Sequence, residues 1–210
     1  EAEIVLEQEL KYYFYQAMLR LDQNHYDEAM ALLLHCEKIA PDDAAVNHYL
    51  GIMYGGLNQK ERAFAYHERA YRLYPDEYWY AYCVQLFQTG EKAKKLTAIR
   101  ELEKLAQHHL DDLQMQETLQ QLYLNTGDLG KGYSDKALIK KAIRQQDRID
   151  RIEGPSPYGS AQRYQLLAAI GQTRQARKAI EDYLREDPYN YYMQVFIGDI
   201  DLRMGNDAAA

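Results

Sequence analysis

Residues 47–77 read NHYLGIMYGGLNQKERAFAYHERAYRLYPDE. Gly51 stands among large apolar residues, and Pro75 lies near the end of the stretch. About 34 residues earlier, Ala17 and Pro41 take the places of Gly51 and Pro75. A recurrence at one fixed period predicts a repeat protein, in which each unit buries an apolar face against its neighbours.

The repeated unit is similar to the tetratricopeptide repeat (TPR), a helix hairpin that recurs about every 34 residues. In that pattern, small residues let two antiparallel helices approach closely and large residues fill the space between them. A proline ends the second helix, because it lacks the N–H that the helix needs. The residues that carry the resemblance are Leu50, Gly51, Tyr54, Ala63, Ala70 and Pro75.

The resemblance covers nearly the whole chain and implies an all-α fold, a right-handed superhelical solenoid of antiparallel helix hairpins. We predict a single TPR-like solenoid over residues 1–210, with about five repeats plus one unpaired helix. The second helix of the fourth repeat is elongated. The expected bounds are about 10–43, 44–75, 76–111, 112–154 and 157–190, with a half repeat at 191–210.

The third repeat admits two numberings, which place Trp79 differently. Counted forward from Pro75, Trp79 lies in the concave groove. Counted back from Gly90, it lies in the core between the helices, and the connection before it is two residues shorter. We favour the second numbering, because it puts a large, a small and a large residue where the hairpin needs them. The predicted core residues are then Trp79, Tyr82, Cys83 and Leu86.

The resemblance also implies a partner-binding groove along the first helices of the repeats. Its apolar part is expected in the N-terminal half, and an exposed apolar patch of that kind marks an interaction site. The predicted groove residues are Phe14, Met18, Leu21, His48, Ile52, Tyr80, Val84 and Phe87. Later first helices give a more polar groove, lined by Gln114, Glu117, Gln121, Leu124, Tyr158, Ala161, Gln165 and Ala168. The N-terminal helix or a second copy of the chain could instead cover the apolar part.

A row of basic residues runs along the elongated helix. Its members are Lys136, Lys140, Arg144 and Arg148, four residues apart. Residues at this spacing share one face of a helix, so the row is a possible docking stripe for an acidic partner or anionic lipid headgroups. We favour a plainer interpretation, a solvated face paired with Asp135, Asp147 and Asp150.

Residues for catalysis are scarce. The sequence has no Gly-x-Ser-x-Gly turn and no phosphate-binding loop. His108 and His109 stand next to two aspartates, but adjacent histidines on a helix point in different directions. We therefore predict no enzyme activity, no metal and no cofactor. The formal net charge of −7 disfavours nucleic acid as a partner, since phosphate backbones need a basic surface.

Cys36 and Cys83 both lie in apolar helical patterns and are expected to be buried free thiols rather than a disulfide. No apolar run is long enough to cross a bilayer. The 20 tyrosines resemble the composition of bacterial cell-envelope TPR proteins, which favours that compartment over the cytoplasm by association only.

The leading functional hypothesis is a non-enzymatic scaffold for protein–protein interaction, with a peptide or partner helix in the concave groove. The alternative is a regulatory or sensory TPR region cut from a larger enzyme or transcription regulator. RNA-binding helical repeats have a similar period, but the charge argues against them. Homo-oligomers remain open, through the unpaired last helix.

Overall fold

The computed structural model describes residues 2–126 and 136–203, and in these ranges the regular structure is helical. The helices of the N-terminal half are α1 (Ala2–Asp22), α2 (Tyr26–Ile39), α3 (Ala44–Gly56), α4 (Lys60–Leu73), α5 (Pro75–Gln88) and α6 (Lys92–Ala106). Those of the C-terminal half are α7 (Leu113–Thr126), α8 (Lys136–Glu153), α9 (Pro157–Ala169), α10 (Thr173–Glu186) and α11 (Tyr191–Arg203).

The chain divides into two compact units, Glu1–Ala98 and Ile99–Ala210. In the first unit, α1 pairs with α2 and α3 with α4, and α5 packs against α4. In the second, α7 pairs with α8 and α9 with α10, and α11 packs against α10 and α9. The single solenoid over residues 1–210 stays a prediction.

The helix hairpins turn by a recurrent backbone device. Asn24, Asn58, Gly90 and Gly171 each have a positive φ, between 57° and 81°. After α1, the Asn24 N–H bonds the Leu21 carbonyl and the next N–H bonds the Arg20 carbonyl. The same pair of bonds closes the turns at Asn58 and Gly171. This is the Schellman motif, in which a left-handed residue satisfies the last free carbonyls of a helix.

Trp79, Tyr82, Cys83 and Leu86 are all buried, with Trp79 only 5% exposed. The numbering counted back from Gly90 is therefore correct for the third repeat. Its short connection has a simple cause. Pro75 is the first residue of α5, and Tyr74 alone separates it from α4. Proline suits a first helical position, because its missing N–H would have no partner there.

In the first unit, α3 and α4 pack closely where the His67 ring lies against Gly51. His67 is 2% exposed, and a Cβ on Gly51 would lie 2.6 Å from its ring carbon Cε1. Ala63 on α4 is likewise buried. Small residues therefore let the two helices approach closely here, as the repeat pattern predicted.

The two cysteines are buried thiols rather than a disulfide, as predicted, and burial raises the pKa of Cys36 to about 11. Two aspartates cap helices from the connecting turns. The Asp43 carboxylate accepts a hydrogen bond from the Val46 N–H at 2.8 Å, and Asp112 accepts one from the Met115 N–H at 3.0 Å. Each bond satisfies an N–H that has no partner inside the helix.

Replacing Gly171 with alanine tests the turn device. No atom lies within 4 Å of a Cβ at this position, so the cost is that of the backbone alone. We expect the free energy of unfolding to fall by about 1 kcal/mol in urea melts, because a side chain disfavours positive φ. The control is Gly56→Ala, at a helical glycine with equally open space. It should raise the free energy by about 0.5 kcal/mol. Equal effects in both variants would contradict the argument.

The buried histidine on α4 predicts an acid-sensitive first unit. Burial, together with neighbouring His48, lowers the pKa of His67 to about 4. An unfolded histidine titrates near about 6.5, so below that pH the unfolded chain binds a proton that the folded chain excludes. Stability should therefore fall as the pH drops from about 6.5 towards 4.

The check is the melting temperature followed by circular dichroism across that pH range. His67→Gln should flatten the dependence, whereas the matched variant of the exposed His25, His25→Gln, should leave it unchanged. If all three proteins show the same slope, His67 is not the titrating group.

Candidate functional site

The predicted apolar groove residues of the first unit differ in exposure. Ile52 and Tyr80 are the most open, at 47% and 49%. Val84 and Phe87 are half-buried, and the Lys95 ammonium lies 4.7 Å above the centre of the Phe87 ring. A cation over an aromatic face is an attractive contact that partly covers the ring.

The groove residues predicted on α1 contribute to the core as well. Phe14, Met18 and Leu21 are half-buried and pack against the buried cluster that includes Leu33 and Leu50. Phe14 also meets Tyr49 edge to face, with 5.6 Å between ring centres. Much of their apolar surface is thus already in contact with the first unit, which leaves less of it for a partner.

His48 is held within a group of aromatic rings. Its ring centre lies 4.9 Å from that of Tyr78, 5.3 Å from His67 and 5.5 Å from Tyr49. Its Nδ1 is buried and has no hydrogen-bond partner among the described residues. Burial lowers the pKa of His48, against the opposing effect of the Glu77 carboxylate. His48, predicted to line the groove, is thus half-buried and packs among these rings.

A cavity of about 590 Å³ opens in the second unit between α7, α9 and α11. Its walls carry amides and apolar or aromatic side chains, and none of the lining residues is an acid, a lysine or an arginine. The amide residues are Gln121, Asn125, Gln162 and Gln165. The others are Leu124, Pro157, Tyr158, Ala161, Leu166, Tyr192, Met193 and Phe196. Tyr158 and Tyr192 are 73% and 74% exposed, so two large rings stand in water at its rim.

Buried polar contacts position α9, the middle wall of this cavity. Gln146 on α8 accepts a hydrogen bond from Gln120 on α7 and donates one to Asp150, both at 2.8 Å. Asp150 in turn pairs with Arg163 on α9. A Cβ on Gly159 would lie 2.7 Å from the Gln146 amide nitrogen, so any larger residue would displace that side chain. Hydrogen bonds and ion pairs between partly buried side chains of this kind restrict how the helices can be arranged.

Two further contacts position α11, the third wall. The Tyr164 hydroxyl on α9 donates a hydrogen bond to the Asp199 carboxylate at 2.5 Å, and Tyr164 also contacts the Phe196 ring. Asp201 is 1% exposed and pairs with Arg177 on α10. The cavity is therefore built on packed helices rather than on loops.

Comparison with solved structures identifies the fold. MamA aligns with a TM-score of 0.65 at 16% identity, covering 88% of this chain and 97% of that chain. A TPR protein from Parabacteroides merdae aligns at 0.64 and 14% identity, covering 96% and 75%. YrrB, described as a TPR protein with an unusual peptide-binding site, aligns at 0.63 and 14%, covering 87% and 88%. The chain has the TPR fold.

No model of a known protein family matches the chain, and no curated protein matches it. The identities to the structural neighbours are low, so they establish the fold and leave function to the residues of this chain.

The cavity is lined by α7, α9 and α11, first helices along which the TPR resemblance implies a groove. Gln121, Tyr158 and Gln165 were predicted to line the groove. Because they are more polar, the main contact surface was predicted in the N-terminal half instead. Tyr192 and Phe196 belong to the predicted unpaired helix and were not counted. Extending the same spacing into α11 would have placed Tyr192 beside the others.

The predicted basic stripe lies on α8, the second helix of its TPR hairpin. Lys136, Lys140 and Arg144 are exposed and Arg148 is half-buried. The aspartates expected to pair with the stripe are engaged elsewhere: Asp147 and Asp150 both pair with Arg163. Asp135 lies outside the described residues. The expected pairing of the stripe with Asp147 and Asp150 is therefore not found, whereas the expected solvated face agrees with the exposure of Lys136, Lys140 and Arg144.

Neither a metal site nor a membrane span is found in residues 2–126 and 136–203 of this TPR fold. No three histidine, cysteine or acidic side chains in these ranges are grouped so that they could hold a metal ion. Within the same ranges, no helix combines the length and the apolar character needed to cross a bilayer.

Proposed function

We propose that the chain is a non-enzymatic protein-interaction scaffold that binds a partner polypeptide along the first helices of its repeats. The observation that carries the proposal is the uncharged cavity of about 590 Å³ between α7, α9 and α11. Concave sites with apolar walls and a few polar groups are the usual form of binding sites. Three consecutive first helices contribute to this one, so an elongated ligand fits it better than a small molecule.

The lining of the cavity indicates an extended peptide as its ligand. The amides of Gln121, Gln162 and Gln165 both donate and accept hydrogen bonds, and so match the N–H and carbonyl groups of a peptide backbone. Tyr158 and Tyr192 offer large rigid rings at the rim, and tyrosine is enriched in protein interfaces. A ligand segment with apolar side chains and little charge suits these walls best.

The exposed apolar residues of the first unit are proposed as a further contact surface for a partner. Ile52 and Tyr80 carry most of this surface, because Phe14, Met18 and Leu21 already pack on the core. Val84 and Phe87 are half-buried and would border it.

A peptide-display selection on the purified chain tests the cavity. The affinity of a selected peptide is measured by calorimetry for the wild type and for Tyr158→Ala/Tyr192→Ala. We expect at least tenfold weaker binding, since two rim rings are removed. The matched control is Tyr189→Ala/Tyr191→Ala, which removes two equally exposed tyrosines that do not line the cavity. Equal weakening in both variants, or a failure to select any peptide, contradicts the proposal.

The surface of the first unit is tested in the same way with Ile52→Glu/Tyr80→Glu. A peptide that binds there should lose at least tenfold in affinity, because each carboxylate would have to be desolvated against an apolar ligand. Leu57→Glu/Tyr74→Glu changes residues of similar exposure outside the predicted groove and should bind normally. A selected peptide whose affinity neither pair changes would place binding elsewhere in the chain.

A further inference from the structure

A second cavity, of about 280 Å³, lies beside the basic stripe of α8. It is lined by residues of α6, α7 and α8 and shares none of them with the cavity between α7, α9 and α11. The lining residues that matter for its charge are Glu103, Tyr123, Lys141, Arg144 and Arg148. Three cations and one carboxylate thus face the same small space.

The negative charge of Glu103, the one carboxylate of this second cavity, is already balanced by a neighbouring cation. Lys141 forms an ion pair with Glu103 at 2.6 Å, and the Tyr123 hydroxyl donates a hydrogen bond to the same oxygen at 2.8 Å. Burial of the ring, and then the neighbouring Glu103 carboxylate, raise the pKa of Tyr123, which favours the protonated hydroxyl that donates this hydrogen bond. The Glu103 carboxylate therefore attracts the two arginines only weakly.

Arg144 and Arg148 have no acidic partner among the described residues. The Arg144 Nε–H donates only to the Lys140 carbonyl of its own helix, at 3.4 Å. The neighbouring carboxylates of Asp147 and Asp150 are engaged by Arg163. Like charges one turn apart on a helix repel each other, and an anion bound to the stripe would relieve that repulsion.

We propose that the α8 stripe binds an acidic polypeptide segment of a partner protein, with Arg144 and Arg148 as its main contacts. The guanidinium fork is suited to carboxylates, which it binds with two parallel hydrogen bonds. From Lys136 to Arg148 the stripe extends about 18 Å along the helix, at about 1.5 Å per residue. One phosphate group would contact only one or two neighbouring basic residues, whereas a segment with several carboxylates could contact the whole stripe.

The test measures binding of a fluorescent decaglutamate peptide by anisotropy. Arg144→Gln/Arg148→Gln should weaken the wild-type affinity at least tenfold. The control Arg174→Gln/Lys178→Gln removes the same charge from exposed residues of α10 and should weaken it less than twofold. Circular dichroism melts verify that both variants fold. Arg144→Lys/Arg148→Lys, which keeps the charge, should show an intermediate loss if the guanidinium fork matters.

Three results would overturn the proposal. The first is no measurable binding of decaglutamate to the wild type. The second is equal weakening in the α8 and α10 variants, which would reduce the effect to overall charge. The third is tighter binding of a singly phosphorylated peptide, or of phosphatidylserine vesicles, than of decaglutamate. The tyrosine variants of the larger cavity should bind decaglutamate normally, so failure of the groove proposal would not affect this one.

Discussion

The close approach of neighbouring helices is the constraint on which this structure depends. At Gly51 the ring of His67 occupies the space that a side chain would fill, and at Gly159 the amide of Gln146 does the same. Since protein interiors are packed as densely as crystals, an added methyl group at either place must displace a neighbour. The first contact holds a hairpin of one unit together, and the second fixes α9 on α8 in the other. Each helix then presents its remaining faces at a set angle to its neighbours.

Much of the fold could be predicted, because the recurring small residues of the repeat pattern mark where neighbouring helices come close. Residues similar to Gly51, Ala63 and Pro75 recur along the chain at the repeat spacing. Close packing of helices and their regular ends explain why small residues and prolines recur at one period. The burial of Trp79 followed from one further residue. Gly90 ends its helix in a left-handed conformation, as Asn24 and Asn58 do, so it fixes the numbering better than Pro75. Proline can either end one helix or begin the next, whereas Asn24, Asn58, Gly90 and Gly171 all follow the first helix of a hairpin.

The candidate site was harder to predict, because exposure depends on packing between helices that are distant in sequence. Phe14 and Met18 have the spacing of groove residues, yet both contact the core of the first unit. The partners of the aspartates on α8 could not be read from spacing either. Asp147 and Asp150 lie within reach of the basic stripe along their own helix, but Arg163 of α9 pairs with both. A guanidinium that meets two carboxylates at once has the better geometry, and only the packing of α9 on α8 brings it there.

The uncharged lining of the larger cavity has a consequence for how the two proposed sites would respond to ionic strength. Mobile ions screen exposed charges over about 10 Å at 0.1 M salt, but they leave apolar contacts and neutral hydrogen bonds almost unchanged. A peptide between α7, α9 and α11 would therefore stay bound as salt rises, whereas an acidic segment on Arg144 and Arg148 would be released. A partner that used both sites at once would gain from their linkage only at low salt. The second unit would then keep the apolar part of its partner bound at any salt concentration and the acidic part only at low salt.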